Sequence, residues 1–303
     1  MTKFSVVIPT YNRLEELSEC LKRLAPNVQS FPAEEYEVIV SDDGRHVSAK
    51  DLVSNEFPWA RWTLGPAKGP AANRNHGAGQ AVHDWIVFID DDCLPEPGLL
   101  AAYAECIARQ APKPLLAFQG PTLRIGEPPS LLWEAPHNPH GQSYISANFT
   151  IRRSDLTKIG GFDERFPSAA IEDTEFFARL QHAGGDVQFV PHAVVHHPLR
   201  PVSKGFSLAK KWEGKVIHSF DLGAPAMTVM WRLPWHAFRV IQSRFRRQSW
   251  SRENVYAALS FLCEWLVVTY NTPKWVRRWS NKPRSPFWLK HISKNGPPPK
   301  FGF

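Results

Sequence analysis

The chain has 303 residues, 43% of them hydrophobic, so it is long enough to bury a sizeable core. This composition predicts an ordinary globular protein with one large domain, or one domain with an appendage. Its four cysteines lie far apart and include no C-x-x-C pair, which excludes a typical disulfide framework or zinc cluster. We therefore expect a reducing compartment and, since the N-terminus shows no targeting signal, a cytoplasmic protein.

Charge is divided unevenly along the chain. Residues 1–199 contain 17 Lys and Arg against 25 Asp and Glu, whereas residues 200–303 contain 19 against 4. Eight of the twelve tryptophans also follow residue 200. Basic residues mixed with tryptophan suit an anionic interface, such as the inner face of a membrane. The alternative is a helical appendage whose tryptophans pack on the main domain.

The first two thirds of the chain alternate predicted strands and helices. An apolar strand over Phe4–Ile8 precedes a helix over Glu15–Leu24, and two more strands are predicted at Tyr36–Val40 and Trp85–Ile89. This rhythm predicts an α/β fold with a mostly parallel sheet flanked by helices. The strands end in "PTYNR", "SDDGR" and "DDDC". Because ligands bind beyond the carboxyl ends of such strands, the three polar ends are expected at one rim.

The aspartates Asp90, Asp91 and Asp92 directly follow the third of these strands. Adjacent carboxylates repel each other, and each costs desolvation free energy when it leaves water. The cluster is therefore expected either to hold a compensating cation or to form a solvated turn.

The C-terminal third is predicted to be mainly helical. Cys263 and Glu264 interrupt its most apolar segment, 253–270, which is too short to cross a bilayer. Residues 231–250 mix Trp, Phe and Ile with five arginines, a composition typical of a helix on an anionic membrane surface; a packed helical bundle is the alternative. No nucleic-acid-binding pattern accompanies the charge, so no nucleic acid partner is expected. Residues 293–303 are predicted to be disordered.

Several motifs occur in an order and spacing that resemble a known family. "VVIPTYNR" (6–13), "VIVSDDGR" (38–45), "GPAANRNHG" (69–77) and "FIDDDC" (88–93) resemble the nucleotide-sugar-binding half of a family 2 glycosyltransferase with the GT-A fold. "GGFDERF" (160–166) and "IEDTEFFARL" (171–180) resemble its acceptor-side half. The resemblance implies a GT-A type, Rossmann-like domain over residues 1–200, with its halves at 1–120 and 121–200. It leaves 201–303 as a basic, Trp-rich, mainly helical extension.

The resemblance implies a divalent metal, Mn2+ or Mg2+, bound by Asp92. A hard cation held by carboxylates neutralises the charge that grows on a departing diphosphate. Asp90 is then expected near the ribose, and Asp91 beside it as a turn residue or a further donor contact. The second metal contact is expected from His197, with His192 and His196 as alternatives. Adjacent histidines on an extended segment point to opposite sides, so only one of the last two should face the metal.

The first strand ends are expected to bind the nucleotide-sugar donor. By resemblance, the contacts come from Pro9, Thr10, Tyr11 and Arg13. Asp43 is expected to accept the N–H of a uracil-like base, which favours a UDP-sugar, with a dTDP-sugar presenting the same N–H and a GDP-sugar less favoured. Arg74 is expected at the base or a phosphate, with a surface salt bridge as its alternative.

Inverting transfer needs a general base that takes the proton of the acceptor hydroxyl. The resemblance assigns this role to Asp173, with Glu172 in support and Glu175 as a competitor, although acidic residues also favour a first helical turn for electrostatic reasons. Trp133, Asn148 and Glu172 are expected on the acceptor side, where Trp133 either stacks on a sugar or lies in the core. The acceptor itself is left open among a sugar, a lipid-linked sugar and a small molecule.

Two other function classes are less favoured. A sugar-phosphate nucleotidyltransferase would carry a glycine-rich phosphate loop after its first strand, where this chain has "PTYNR". A non-catalytic glycan-binding or membrane-binding module would be favoured if the D-x-D or the base were lost, and both are present. The sequence therefore predicts an inverting, metal-dependent glycosyltransferase of glycan or glycoconjugate biosynthesis.

Overall fold

A computed structural model describes residues 2–111, 113–141, 143–166, 168–169, 171–202, 205–245 and 252–289. The tail predicted to be disordered, 293–303, lies outside these residues. The chain divides into two compact units. The first comprises Met1–Gly126, Ala135–Glu164 and Phe176–Pro198, and the second comprises Glu127–Glu134, Arg165–Glu175 and Leu199–Phe303. The second unit thus begins near the predicted boundary at residue 200 but also takes two earlier segments.

Most strands of the described chain belong to one seven-stranded sheet in the first unit. In chain order the strands are β1 (Phe4–Thr10), β2 (Tyr36–Asp42), β3 (Arg61–Leu64), β4 (Trp85–Ile89), β5 (Leu94–Pro95), β6 (Leu116–Gln119), β7 (Thr122–Arg124), β8 (Trp133–Glu134), β9 (Asn148–Arg152), β10 (Asp186–Phe189), β11 (Val195–His197) and β12 (Arg200–Pro201). The sheet order is β10-β6-β9-β4-β1-β2-β3. Only β9 runs antiparallel to its neighbours, so the predicted mostly parallel sheet is confirmed.

Helices flank this sheet and form most of the second unit. They are α1 (Leu14–Leu24), α2 (Lys50–Glu56), α3 (Pro70–Gly79), α4 (Leu99–Ala108), α5 (Arg153–Lys158), α6 (Glu172–His182), α7 (Gly205–Asp221), α8 (Ala226–Phe245) and α9 (Arg252–Trp279), with a 3-10 turn at Ala33–Glu35. In α1 the buried residues Leu17, Leu21 and Leu24 follow the helical spacing seen in the sequence.

The sheet is buried on both faces, which explains why its central strands are continuous apolar runs. Along β1, Val6 and Ile8 join the hydrophobic cluster that includes α1. Val7, between them, points to the opposite face and joins the cluster that includes Phe176 and Phe177 of α6. Alternate residues of one strand therefore hold helices on both sides of the sheet.

The second unit is helical, with its own core. Helices α7, α8 and α9 pack together around a hydrophobic cluster that includes Trp212, Val229 and Val268. The indole of Trp212 donates to the buried carboxylate of Glu264 at 2.8 Å. A short antiparallel pairing of β8 with β12 belongs to the same unit. Within the described residues, none of the helices combines the length and apolar character needed to cross a membrane.

Candidate active site

The carboxyl ends of three adjacent parallel strands meet at one rim of the first unit. The strand order places β1 between β2 and β4, and one side-chain and one backbone hydrogen bond link the three ends. The Thr10 hydroxyl donates to Asp91 at 2.7 Å, and the Asp43 amide donates to the Thr10 carbonyl at 2.9 Å. The structure therefore brings together the polar segments that the sequence predicts at this rim.

Arg13 compensates two of the three adjacent aspartates. Its guanidinium donates to Asp91 at 3.0 Å and to Asp92 at 2.9 Å. Both carboxylates are buried, whereas Arg13 is half-exposed. Burial is the largest influence on Asp91 and raises its pKa to about 7, although Arg13 opposes that rise. The aspartates are thus not a solvated turn: the cluster concentrates negative charge in a partly closed space.

The third aspartate, Asp90, pairs with Arg74. The two side chains lie 2.7 Å apart, and Arg74 is buried with its guanidinium over the ring of Phe162 at 5.5 Å. Arg74 therefore forms a salt bridge, which was the alternative expected for it, but the arginine lies inside the fold rather than at the surface. The pair fixes Asp90 at the end of β4, where a donor ribose is predicted.

His197 faces Asp92 in a way that suits a bound cation. Its Nδ1 contacts the Pro198 carbonyl at 2.7 Å and is the donor in that bond, so in the neutral form of the ring Nε2 carries the lone pair. Nε2 lies 3.2 Å from the Asp92 carboxylate and has no hydrogen-bond partner among the described residues. A carboxylate oxygen and a neutral imidazole nitrogen are both ligands that a divalent cation such as Mn2+ accepts. The residues present therefore fit a divalent cation held by Asp92 and His197.

Local strand pairing explains how His197 reaches Asp92. β11 pairs antiparallel with β5, with Val195 opposite Pro95 and His196 opposite Leu94. One step further along this ladder, His197 comes beside the residues that follow β4. His196 points the other way and bonds Glu96 at 2.8 Å. His192 is exposed, so the structure places only His197 at the aspartate cluster.

Cys93 lies in the same cluster but has different chemistry. Ligand atoms of Asp92, Cys93 and His197 all lie within 4.8 Å of one another. Burial raises the pKa of the Cys93 thiol well above its usual range, which keeps the sulfur protonated. Since sulfur is a poor ligand for a hard cation, Asp92 and His197 are the more suitable ligands of the three for Mn2+ or Mg2+.

The loop before α3 is built around Asp43. The Asp43 carboxylate accepts the backbone N–H of Ala67 at 2.8 Å and of Gly69 at 3.3 Å. Gly69 has φ 101, a left-handed conformation that favours glycine. Tyr11 is 60% exposed on the same unit, so its ring is accessible to a ligand. Each oxygen of Asp43 retains a second lone pair for the predicted base contact.

Sequence reasoning missed Asn73, which ties two strand ends together. Its amide donates to the carbonyls of Thr10 at 3.2 Å and Ser41 at 2.9 Å, and its oxygen accepts from the Ser41 hydroxyl at 2.6 Å. The neighbouring Asp42 is also structural, since it accepts the backbone N–H groups of Gly44 and Ala49. The available sequence signal was that Asn73 is polar and directly precedes Arg74.

Asn148, predicted on the acceptor side, is instead a structural residue of the sheet. It is fully buried, donates to the carbonyls of Pro121 and Ala193, and accepts from the Tyr103 hydroxyl at 2.8 Å. These bonds use both N–H groups of the Asn148 side-chain amide within the fold. The side chain is therefore not available to bind an acceptor substrate.

The predicted base and its neighbours lie in the first turn of α6, within the second unit. Asp173 is partly exposed, and its carboxylate accepts the N–H of Thr174 at 2.7 Å. Glu172 is buried, and Glu175 is fully buried and accepts from the Trp288 indole at 3.0 Å. Glu175 is thereby committed to packing, which leaves Asp173 as the accessible carboxylate of this turn.

Trp133 of β8 also belongs to the second unit. Its backbone pairs with Pro201 of β12, and the residue is 39% exposed. The alternative that it lies in the core is therefore wrong. An exposed indole offers a flat apolar face, which suits stacking on a sugar ring.

Comparisons with known proteins assign the chain to a family. A model described as "Glycosyl transferase family 2" matches residues 5–159, just over half of the chain, and one described as "Glycosyltransferase like family 2" matches 141–259. The chain belongs to glycosyltransferase family 2. The family match extends beyond residue 200, so the expectation that the last hundred residues lie outside the family is corrected as far as residue 259.

Curated relatives and solved structures agree with this family. Glycosyltransferase AglE of Haloferax volcanii is 26% identical over 65% of this chain and 67% of its own. In three such relatives, AglE among them, the match covers 67%, 59% and 30% of the relative's own length. The structure of Staphylococcus aureus TarS 1–349 in complex with UDP-GlcNAc has a TM-score of 0.58 and 19% identity, covering 91% of this chain and 82% of that one.

A second solved structure supports the same fold. Mannosyltransferase PcManGT from Pyrobaculum calidifontis, in complex with GDP-Man and Mn2+, gives a TM-score of 0.53 at 17% identity over 97% of this chain and 86% of that one. At such identities the likeness concerns the fold, which is the GT-A fold.

Proposed function

We propose that this family 2 protein is an inverting, divalent-metal-dependent glycosyltransferase that moves a sugar from a nucleotide-sugar, with UDP-sugars favoured, to an acceptor hydroxyl. One observation carries the proposal: His197 Nε2 faces the Asp92 carboxylate at 3.2 Å, beside two further aspartates. Complexes of fold neighbours with UDP-GlcNAc and with GDP-Man and Mn2+ support a nucleotide-sugar and a metal.

The donor end of the mechanism follows from the residues at the rim. When bound by Asp92 and His197, a Mn2+ or Mg2+ ion would neutralise charge on the diphosphate. Asp90, held by its ion pair with Arg74, would contact the ribose of the donor. Arg13, half-exposed above Asp91 and Asp92, offers remaining N–H groups to phosphate oxygens. These groups favour departure of the nucleoside diphosphate as the bond from sugar C1 to oxygen breaks.

The acceptor end needs a base. Asp173 takes the proton of the acceptor hydroxyl while its oxygen forms the new bond to C1 on the face opposite the leaving group, which inverts the anomeric configuration. Two observations support Asp173 over Glu175 as the base: Asp173 is partly exposed, and the Glu175 carboxylate is buried and bonded to the Trp288 indole. Trp133 supplies an exposed stacking surface for an acceptor sugar, whether free or lipid-linked. Family membership favours this chemistry over nucleotidyl transfer or a non-catalytic module.

The first test is transfer activity with a base variant. Asp173→Asn keeps the shape of the side chain but removes the base, so the transfer rate should fall by about 10²–10⁴-fold with UDP affinity retained. Asp51→Asn, on the exposed side of α2, is the matched control and should keep the parent rate. A folded Asp173→Asn protein that transfers sugar at the parent rate would overturn the assignment.

The donor is tested separately by a panel of nucleotides. UDP, dTDP, GDP and CDP are each titrated calorimetrically into the protein with Mn2+. If Asp43 reads the base, UDP and dTDP bind more tightly than GDP and CDP, because cytosine has no hydrogen on N3 and guanine presents its ring N–H on a larger purine. Equal affinity for all four would show that the base is not read.

A further inference from the structure

An exposed aromatic surface lies on α8 of the second unit. Met227, Trp231, Trp235 and Phe238 are 65%, 73%, 61% and 42% exposed, respectively. Their spacing of four, four and three residues places all four on one face of the helix. We call this face the aromatic stripe. Water contact on so much contiguous apolar surface is unfavourable, and such patches mark interaction sites.

A second exposed apolar face runs along α9. Its members are Val255, Tyr256, Leu259, Leu262, Leu266 and Tyr270, and we call it the leucine stripe. The acidic residue of this segment, Glu264, is buried on the opposite side of the helix. Phe238 lies edge-on to Trp265 at 6.4 Å, and the Trp265 indole donates to the Pro234 carbonyl. The aromatic stripe of α8 thus borders α9.

Exposed cations flank both stripes. Arg232 and Arg239 follow Trp231 and Phe238 by one residue and therefore lie about 100° around α8, at the edge of the aromatic stripe. The exposed residues Lys274, Arg277 and Arg278 continue α9 beyond the leucine stripe. Residues 200–303 as a whole contain 19 Lys and Arg but only 4 Asp and Glu.

We propose that the aromatic and leucine stripes dock on the surface of an anionic phospholipid bilayer. Tryptophan and tyrosine favour the boundary between headgroups and acyl chains, while arginine beside them attracts anionic headgroups. A second copy of this chain is the poorer occupant, because pairing identical faces would bring like charges together. The described helices are not suited to spanning, so the contact is peripheral.

The proposal is tested by flotation of the full chain with vesicles. The probes are vesicles of phosphatidylcholine alone and of phosphatidylcholine with phosphatidylglycerol, and sugar transfer is not part of the readout. The parent should float only with the anionic vesicles. Trp231→Ala with Trp235→Ala, and separately Arg232→Glu with Arg239→Glu, should each lower the bound fraction by at least about tenfold.

A matched control distinguishes binding through the two stripes from binding through the general positive charge of the protein. Arg23→Glu with Arg109→Glu makes the same charge change at exposed positions of the first unit and should leave flotation close to that of the parent. Equal loss in both charge variants would overturn the proposal, as would parent flotation in the tryptophan variant. So would sedimentation showing a dimer that the tryptophan variant converts to monomer without any vesicle binding.

Discussion

Single side chains at the rim show how charge is arranged before any ligand arrives. Arg13 spans Asp91 and Asp92, Arg74 holds Asp90, and His197 Nε2 faces Asp92. The cluster is thus partly neutralised by two cations, the half-exposed Arg13 and the buried Arg74. A cation that binds Asp92 would therefore share with Arg13 the compensation of the negative charge on that carboxylate.

Removal of Arg13 tests this balance. Arg13→Gln leaves Asp91 and Asp92 without their shared partner, so the protein in EDTA should lose about 1–2 kcal/mol of unfolding free energy. Mn2+ should then raise the melting temperature of the variant more than that of the parent. Arg23→Gln, exposed on α1, is the control. An equal or smaller Mn2+ response in Arg13→Gln would contradict a cation site at these aspartates.

At the scale of elements, close packing of α3 on the sheet positions Asn73 and Arg74. A Cβ atom at Gly77 would lie 2.5 Å from Val7 Cγ1 of β1 and 3.3 Å from Ser41 Cβ of β2. The absence of a side chain therefore lets the helix approach both strands. Gly79, two residues later in the same helix, has no atom within 4 Å of such a Cβ.

These two glycines make a matched pair of substitutions. Gly77→Ala should lower the free energy of unfolding by about 1–3 kcal/mol, because α3 must move off the sheet. Gly79→Ala should be neutral or raise it by up to about 1 kcal/mol through helix propensity. Thermal unfolding of both variants checks the difference. Equal effects of the two changes would mean that α3 does not pack on β1 as described.

Helix α7 contains a histidine that should make stability depend on pH. Burial lowers the pKa of His218 to about 4 from 6.5, and its ring nitrogens have no hydrogen-bond partner among the described residues. Between pH 4 and 6.5 the unfolded chain binds a proton that the folded chain does not. His218 therefore lowers the free energy of unfolding as the pH falls through this window. Above pH 6.5 this destabilisation is absent.

Replacement of His218 by an apolar side chain removes that cost. His218→Leu should raise the melting temperature, and by more at pH 5 than at pH 8, because the unfolded imidazole is protonated only at the lower pH. His192→Leu, which makes the same substitution at an exposed position, is the control. A gain for His218→Leu that is equal at the two pH values would show that the ring titrates normally in the folded protein.

For the whole molecule, local sequence patterns predicted the sheet but not the contacts between segments that are distant in the chain. The strand ends after β1, β2 and β4 were readable because apolar runs stop at polar residues and parallel strands end at one rim. The pairing of His197 with Asp92 depends on the register of β11 against β5, which single-sequence spacing does not determine. Asn148 was misjudged because its burial depends on Tyr103 and on the carbonyls of two remote segments.

The division into two units also needed three-dimensional contacts. The change in charge near residue 200 marked where the helical part begins, yet Glu127–Glu134 and Arg165–Glu175 join the second unit from earlier in the chain. The excess of tryptophan did not say which indoles are buried. Trp212 lies in the core of that unit, whereas Trp231 and Trp235 lie on its surface.

The most direct measurement of the central claim is calorimetric titration of UDP with Mn2+ or with EDTA. It compares the parent with Asp92→Asn and with single alanine substitutions at His196 and His197, adjacent histidines of which only the second faces Asp92. We predict that Mn2+ tightens UDP binding to the parent and to His196→Ala, and that Asp92→Asn and His197→Ala lose at least about tenfold of that gain. UDP binding that is indifferent to Mn2+, or equally affected by both histidine changes, would contradict a metal-dependent donor site at Asp92 and His197.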